Sequence, residues 1–445
     1  MGLRKKMLVA NGGSCLTGGL RVPGDKSISH RSVILGALAD GVTRVSGFLA
    51  GEDALSTCQV FRALGVQIDG PVDGGLTIHG VGLHGLTEPS THLDCGNAGT
   101  GMRLLIGLLA GQSFSSTLIG DESLSGRPMG RVARPLIEMG ANITTTNGFP
   151  PVHITPVDSL TGRDYVMPVA SAQLKSALLL AGLYARGITR VTEPAPSRDH
   201  TERMLAGFGV VTNRDGAQIS IASGQTLVAT TIDVPGDISS AAFFMVAASI
   251  TPGSDITLEH VGVNPTRTGV IEILRAMGAD ISLSAQKISG GEPVADIRVK
   301  YRQLTGVEIA PGLVPLAIDE FPVIFIAAAC AIGETRLNGA QELRVKESDR
   351  IAAMAQGMTA LGISVQPTED GMRIPGLADA TEQAVFSGGE VDSFGDHRIA
   401  MAFAVASLRA DGPVHIADTA NVATSFPGFC QAASQLGLLV HEAQG

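Results

Sequence analysis

The sequence predicts an α/β fold built from two similar halves, each made of three small multi-strand units. Three observations carry this. A helix-like segment closed by a large apolar residue and Gly, then an alternating strand, recurs at Leu64-Gly65-Val66, Met139-Gly140-Ala141, Phe208-Gly209-Val210, Met277-Gly278-Ala279, Leu361-Gly362-Ile363 and Leu436-Gly437-Leu438. The copies are roughly 70–85 residues apart, too far for single solenoid turns, so each copy is a small α/β unit. Val22-Pro23-Gly24-Asp25-Lys26-Ser27 returns as Val234-Pro235-Gly236-Asp237-Ile238-Ser239, which marks the start of a second half and suggests a pivot between the two. Finally, 445 residues exceed one ordinary core, and 44% hydrophobic residues against 17% charged supply enough apolar material for two.

Each repeat reads as a helix ended by a Gly in the left-handed conformation, followed directly by a strand. With 4% aromatics and no Trp, packing is aliphatic. A net charge of −10 argues against nucleic acid as a partner and makes local cationic clusters informative. Five scattered Cys without a Cys-x-x-Cys, and no zinc-ligand spacing, indicate a reducing compartment, free thiols and no metal. Arg4-Lys5-Lys6 precedes an apolar stretch too short for a signal peptide, and Met1-Gly2 lacks the hydroxyl residue that myristoylation needs. The longest apolar run, 321–332, is too short to span a membrane. The expectation is a cytoplasmic monomer with no membrane or nucleic-acid partner.

The densest chemistry lies at the mouths of apolar helices. Gly24-Asp25-Lys26-Ser27-Ile28-Ser29-His30-Arg31 joins a turn, hydroxyls and cations ahead of an apolar segment from Ser32 to Ala39. N–H groups, Ser and Lys at a helix start suit an anion, and Arg31 lies one turn on from Ser27. Asp25 between Gly24 and Lys26, with Pro23 before them, departs from a nucleotide P-loop. The plainer reading is a capped helix with solvated cations. Asp94-Cys95-Gly96-Asn97-Ala98-Gly99-Thr100-Gly101-Met102-Arg103 lets backbone approach a ligand, or is a tight turn before a buried helix. Arg127-Pro128-Met129 turns an Arg away from its helix mouth, whereas Arg131 and Arg134 fit solvated positions equally well. Ser171 is an N-cap candidate with Gln173 free to reach a ligand, and Arg198-Asp199-His200 is a charged loop entering a helix.

In the second half, Asp319-Glu320 stands before the most apolar run, as helix-start acids or as a base of tuned pKa. Arg344-Val345-Lys346-Glu347-Ser348-Asp349-Arg350 reads as a helix entered near Glu347, with Lys346 and Arg350 on one face. It holds either an acid/base among cations or a surface salt-bridge array. Asp396-His397-Arg398 repeats the pattern, and His397 alone fits a structural role better than a catalytic one. Together these motifs suggest a cleft between the halves that gathers several negative charges.

Taken in order, the 24–31, 96–101, 127–129, 344–350 and 396–398 motifs resemble the enolpyruvyl transferases, in the branch acting on shikimate 3-phosphate; the resemblance spans essentially the whole chain. It implies two inside-out, barrel-like α/β domains of three βαβαββ repeats each, at residues 1–20 plus 241–445 and at 21–240, with the active site in the interdomain cleft. Catalysis would fall to Asp319, Glu347 and Lys26. Shikimate 3-phosphate would be held by Lys26, Ser27, Arg31, Ser171, Ala172, Gln173, Arg198, Asp319 and Lys346. Phosphoenolpyruvate would meet Lys26, Gly99, Arg127, Gln173, Arg350 and Arg398. The implied reaction moves an enolpyruvyl group to the 5-hydroxyl through a tetrahedral intermediate and releases phosphate, with no cofactor. It belongs to the shikimate pathway, toward chorismate and the aromatic amino acids. Thr424-Ser425-Phe426-Pro427 departs from relatives that carry a Lys there, and Gly99 stands where glyphosate-tolerant relatives have Ala, so glyphosate is expected to compete with phosphoenolpyruvate. Two alternatives stay open: the sister transferase acting on UDP-N-acetylglucosamine, whose members differ at Lys26-Ser27-Ile28, and a catalytically silent anion-binding protein.

Overall fold

Six helices buried on nearly every side dictate the architecture. A helix without a polar face must be covered all round. Here Lys26–Leu38, Gly99–Leu109 and Ala172–Gly182 form the buried centre of one unit. Ile238–Ile250, Phe321–Ala329 and His397–Ala406 do the same in the other. A computed structural model of the protein describes residues 6–379 and 384–444; Met1-Gly2 and Arg4-Lys5 lie outside the described residues.

The chain divides into two compact units. One comprises the residues up to Pro23, Gly236–Lys287 and the chain from Pro293 onward; the other comprises Gly24–Pro235 and Ile288–Glu292. The crossings therefore fall between Pro and Gly in both copies of the Val-Pro-Gly-Asp motif, a few residues from the Leu20 and Ser240 expected. The turn Ile288–Glu292 groups with the Gly24–Pro235 unit, which no local sequence pattern signals.

Each unit holds three sheets, and one strand order recurs: a parallel edge strand, a centre strand, then two antiparallel strands. In the second repeat of the Gly24–Pro235 unit, Leu93–Asp94 runs parallel to Ser116–Ile119, which pairs antiparallel with Phe149–Thr155, which pairs with Asn142–Thr146. The chain order there is strand, central helix Gly99–Leu109, strand, outer helix Gly130–Glu138, and two strands, apart from the short helix Glu122–Ser125. This is the βαβαββ unit. Asp164–Val166 to Gln218–Ala222 repeats it. In the other unit the N-terminal strands complete two sheets. Thr17–Leu20 runs parallel to Asp255–Gly262, and Lys6–Gly13 pairs with both Val414–Ala417 and Leu438–Gln444.

The second helix of each repeat is ended by the predicted glycine. Gly65, Gly140, Gly209, Gly278, Gly362 and Gly437 all have positive φ, between 83° and 111°. Central helices pack closely enough to exclude a side chain in places. A Cβ on Gly107 would lie 2.2 Å from the Ala177 carbonyl oxygen of the neighbouring helix.

The three central-helix N-termini of each unit are tied to one another. In the Gly24–Pro235 unit, Arg31 donates to Ser176 Oγ at 2.9 Å and Gln173 to Thr100 Oγ1 at 2.9 Å. In the other, Arg398 donates to the Asp319 carbonyl at 3.2 Å and Ser239 Oγ bonds Glu320. Each unit thus gathers three helix mouths, where partial positive charge accumulates.

The two kinds of glycine separate by mutation. Gly209→Ala meets open space and only backbone strain, so it should cost about 1–2 kcal/mol. Gly107→Ala must displace backbone and should cost about 3 kcal/mol or more. Denaturant midpoints of the two variants check this; a larger loss for Gly209→Ala would contradict it.

Candidate active site

In the Gly24–Pro235 unit the first helix opens at Lys26, capped by Asp25, whose carboxylate accepts from Ile28 N–H at 2.9 Å. Asp25 is thus used by the backbone, and Lys26 pairs with the buried Asp53. Ser27 offers its carbonyl to Arg31 at 3.0 Å. Arg31 is buried, and its other two nitrogens donate to Thr201 Oγ1 at 2.7 Å and Ser176 Oγ at 2.9 Å. Burial pulls this guanidinium down to about 10, against the pull of Glu202 and Asp25; it stays charged but poorly compensated.

The third central helix is capped by Ser171, which accepts from Leu174 N–H at 3.3 Å, as predicted. The Ala172 carbonyl accepts from Ser176 Oγ at 2.7 Å. Gln173 joins two motifs: its amide donates to Thr100, and its oxygen accepts from Arg103 at 2.8 Å. Arg198 lies in the loop before the helix His200–Gly207.

Gly99 is the first residue of its helix. A Cβ there would stand 3.2 Å from Arg127 Nη1 and 3.4 Å from Arg103 Nη1, so the missing side chain leaves room for two guanidinium groups. Arg127 donates to Asn97 Oδ1 at 2.6 Å and Ser123 Oγ at 3.0 Å. Arg103 donates to Gln173 and to the Pro128 carbonyl at 3.2 Å. Burial, with Arg131 and Arg127 beside it, pulls Arg103 down to about 10. Arg131 and Arg134 are exposed, the solvated alternative.

The other unit has a different balance. Its helix after the 344–350 motif begins at Arg350, capped by Asp349, not near Glu347. Lys346 instead ends a 3₁₀ turn, Gln341–Val345. Asp349 wins the N-cap because its carboxylate takes Ala352 N–H at 3.0 Å. Lys346 and Arg350 still meet, through Asp319, each 3.4 Å from Asp319 Oδ1. The surface salt-bridge reading fails for Arg350: it is fully buried and also bonds Glu347 at 2.6 Å and Asp396 at 2.8 Å. Partial burial pushes the Glu347 carboxyl upward. Arg350, followed by His397, outweighs this and holds it well below the usual carboxylate range. Its side chain keeps 36% of its surface open, so the ionised carboxylate is reachable. Arg398 follows the cap Asp396 and lies 3.8 Å from the buried Glu320.

Arg103, Asn97, Asp53 and Asp396 are not singled out as functional groups by the sequence pattern alone. Arg103 and Asn97 lie inside a quoted motif, and an Arg four residues into an apolar helix was the available signal. Asp53 and Asp396 find their partners 27 and 46 residues away, which no local pattern encodes.

A sequence profile of the EPSP synthase family, 3-phosphoshikimate 1-carboxyvinyltransferase, matches residues 10–432. The chain belongs to this family. The 3-phosphoshikimate 1-carboxyvinyltransferase of Methylococcus capsulatus is 64% identical, over 97% of this chain and 98% of that protein. That of Alkalilimnicola ehrlichii is 62% identical, over 96% and 94%. The EPSP synthase structure from Acinetobacter baumannii superposes with a TM-score of 0.92 at 55% identity, covering 99% of this chain and all of that one. The enolpyruvyl transferase NikO of Streptomyces tendae shares the fold alone, with a TM-score of 0.80 at 16% identity over the full length of both chains.

His30, beside Lys26 and next to Arg31, offers a pH test. It is fully buried, bonded through Nδ1 to Thr57 at 2.8 Å. Burial, outweighing nearby Asp53, lowers its pKa to about 4. Between pH 4 and 6.5 the unfolded chain therefore binds a proton that the folded one refuses. The stability this contributes is complete above pH 6.5 and lost as pH falls toward 4. From pH 7 to 4.5 the wild type should lose roughly 2–3 kcal/mol more than His30→Gln. Urea midpoints at both pH values check this; parallel losses would contradict it.

Proposed function

We propose that this protein transfers the enolpyruvyl group of phosphoenolpyruvate to the 5-hydroxyl of shikimate 3-phosphate and releases phosphate. The family name and identities of 62–64% along the chain support this substrate pair over the UDP-sugar alternative. The observation that carries the mechanism is an asymmetry. One unit presents guanidinium groups bonded to neutral oxygens, and the other presents an ionised, reachable Glu347 beside Asp319.

Arg31 and Arg127, whose hydrogen-bond partners are neutral oxygens, suit substrates that bring their own negative charge. We assign shikimate 3-phosphate to Lys26, Ser27, Arg31, Ser171, Ala172, Gln173 and Arg198, with Asp319 and Lys346 on its ring. Phosphoenolpyruvate is assigned to Lys26, Gly99, Arg127, Gln173, Arg350 and Arg398. In the addition step the 5-hydroxyl oxygen attacks C2 and loses its proton, while the methylene gains one. In the elimination step the new methyl group returns a proton, the double bond re-forms, and phosphate leaves with the C–O electrons. Glu347 is ionised at the outset, so its first act is to accept a proton. The first proton to the methylene then comes from another group, and Lys26, a cation, is assigned to it. Asp319 holds Lys346 and Arg350 in place and shares the proton traffic.

Purified protein given both substrates should release phosphate stoichiometrically with enolpyruvyl ether. Glu347→Gln should lower kcat at least ~100-fold while binding shikimate 3-phosphate almost unchanged. Substrate binding without phosphate release in the wild type would support the silent anion-binding alternative. Near-normal kcat in Glu347→Gln would overturn its role.

A further inference from the structure

Behind the proposed shikimate 3-phosphate residues lies a buried charge cluster that the reaction does not use. Lys175, on the helix Ala172–Gly182, has no exposed surface. Its Nζ donates to Glu193 Oε2 at 3.1 Å and to the Ser197 carbonyl at 3.4 Å. It also approaches Glu202 Oε1 at 2.8 Å, without the alignment of a hydrogen bond. Glu193 and Glu202 are themselves buried, and Ser197 Oγ donates to Glu193 Oε1. Arg214, half-exposed, stands 3.5 Å from both carboxylates.

Such a cluster is a poor source of net stability, because apolar side chains of the same size pack without desolvating charge. What it does provide is a fixed geometry, since one ammonium group locks three segments. Ser171 and Ala172 precede Lys175 by about one helical turn, whereas Gln173, assigned to both substrates, is anchored separately by Thr100 and Arg103. Ser176, the next residue, and Thr201, the neighbour of Glu202, hold the Arg31 guanidinium. Ser197, bound twice, is followed by Arg198.

We infer that Lys175, with Glu193 and Glu202, is a positioning group that sets the shikimate 3-phosphate side of the site and leaves the phosphoenolpyruvate side alone. This rests on the substrate assignment above. The test is calorimetric binding of shikimate 3-phosphate to the full chain, with KM for phosphoenolpyruvate measured at saturating shikimate 3-phosphate. Lys175→Met should weaken shikimate 3-phosphate roughly tenfold or more through misplaced contacts, and should leave KM for phosphoenolpyruvate within about twofold. Glu193→Gln keeps the size of its side chain and should show the same split, so it carries the test if Lys175→Met does not fold. A loss of thermal stability with no split, or equal losses for both substrates, would overturn the inference. Arg31→Met run alongside separates the two claims. If it leaves shikimate 3-phosphate binding intact, the substrate assignment fails. If it abolishes binding while both cluster variants bind normally, only the positioning role fails.

Discussion

Three guanidinium groups in the Gly24–Pro235 unit are held by uncharged oxygens. Arg31 bonds two hydroxyls and a carbonyl, Arg103 an amide oxygen and a carbonyl, and Arg127 an amide oxygen and a hydroxyl. Among the described residues no carboxylate lies within ion-pair distance of any of them. Neutral acceptors orient a cation without cancelling its charge, so each group keeps most of its attraction for an incoming anion. Burial raises that attraction by removing water.

Central helices make this arrangement possible. Buried on nearly every side, they stand in the middle of each unit with the sheets around them, and their N-termini come together. Side chains at these mouths are therefore neighbours in space although the sequence scatters them. The same plan is filled differently in the other unit. There Arg350 is surrounded by Asp319, Glu347 and Asp396, and the cation keeps Glu347 ionised. The two units thus fill one plan with different chemistry: cations on neutral oxygens in one, a cation among carboxylates in the other.

Much of this was legible in the chain. The six left-handed glycines follow from a short-range rule, and the Ser171 cap and the helix mouths at Lys26 and Gly99 come from local composition. The start of the 350–360 helix was misplaced because two acids, Glu347 and Asp349, both suit a cap, and only the backbone path decides between them. The buried partners were invisible for another reason. Lys175 meets Glu193 across 18 residues, Arg31 meets Thr201 across 170, and Arg350 meets Asp396 across 46. Such pairs exist only once the chain has folded back on itself, within a repeat for Lys175 and between repeats for Arg31 and Arg350.

The most direct test uses Arg31 alone. Thr201 Oγ1 and Ser176 Oγ already lie 2.7 Å apart, so they stay paired when the guanidinium is removed. Thermal unfolding of Arg31→Met should occur at or above the wild-type temperature without ligand, because a poorly compensated buried charge is gone. The upward shift that shikimate 3-phosphate gives the wild type should disappear. A variant that unfolds several degrees lower without ligand, yet keeps that shift, would contradict the account.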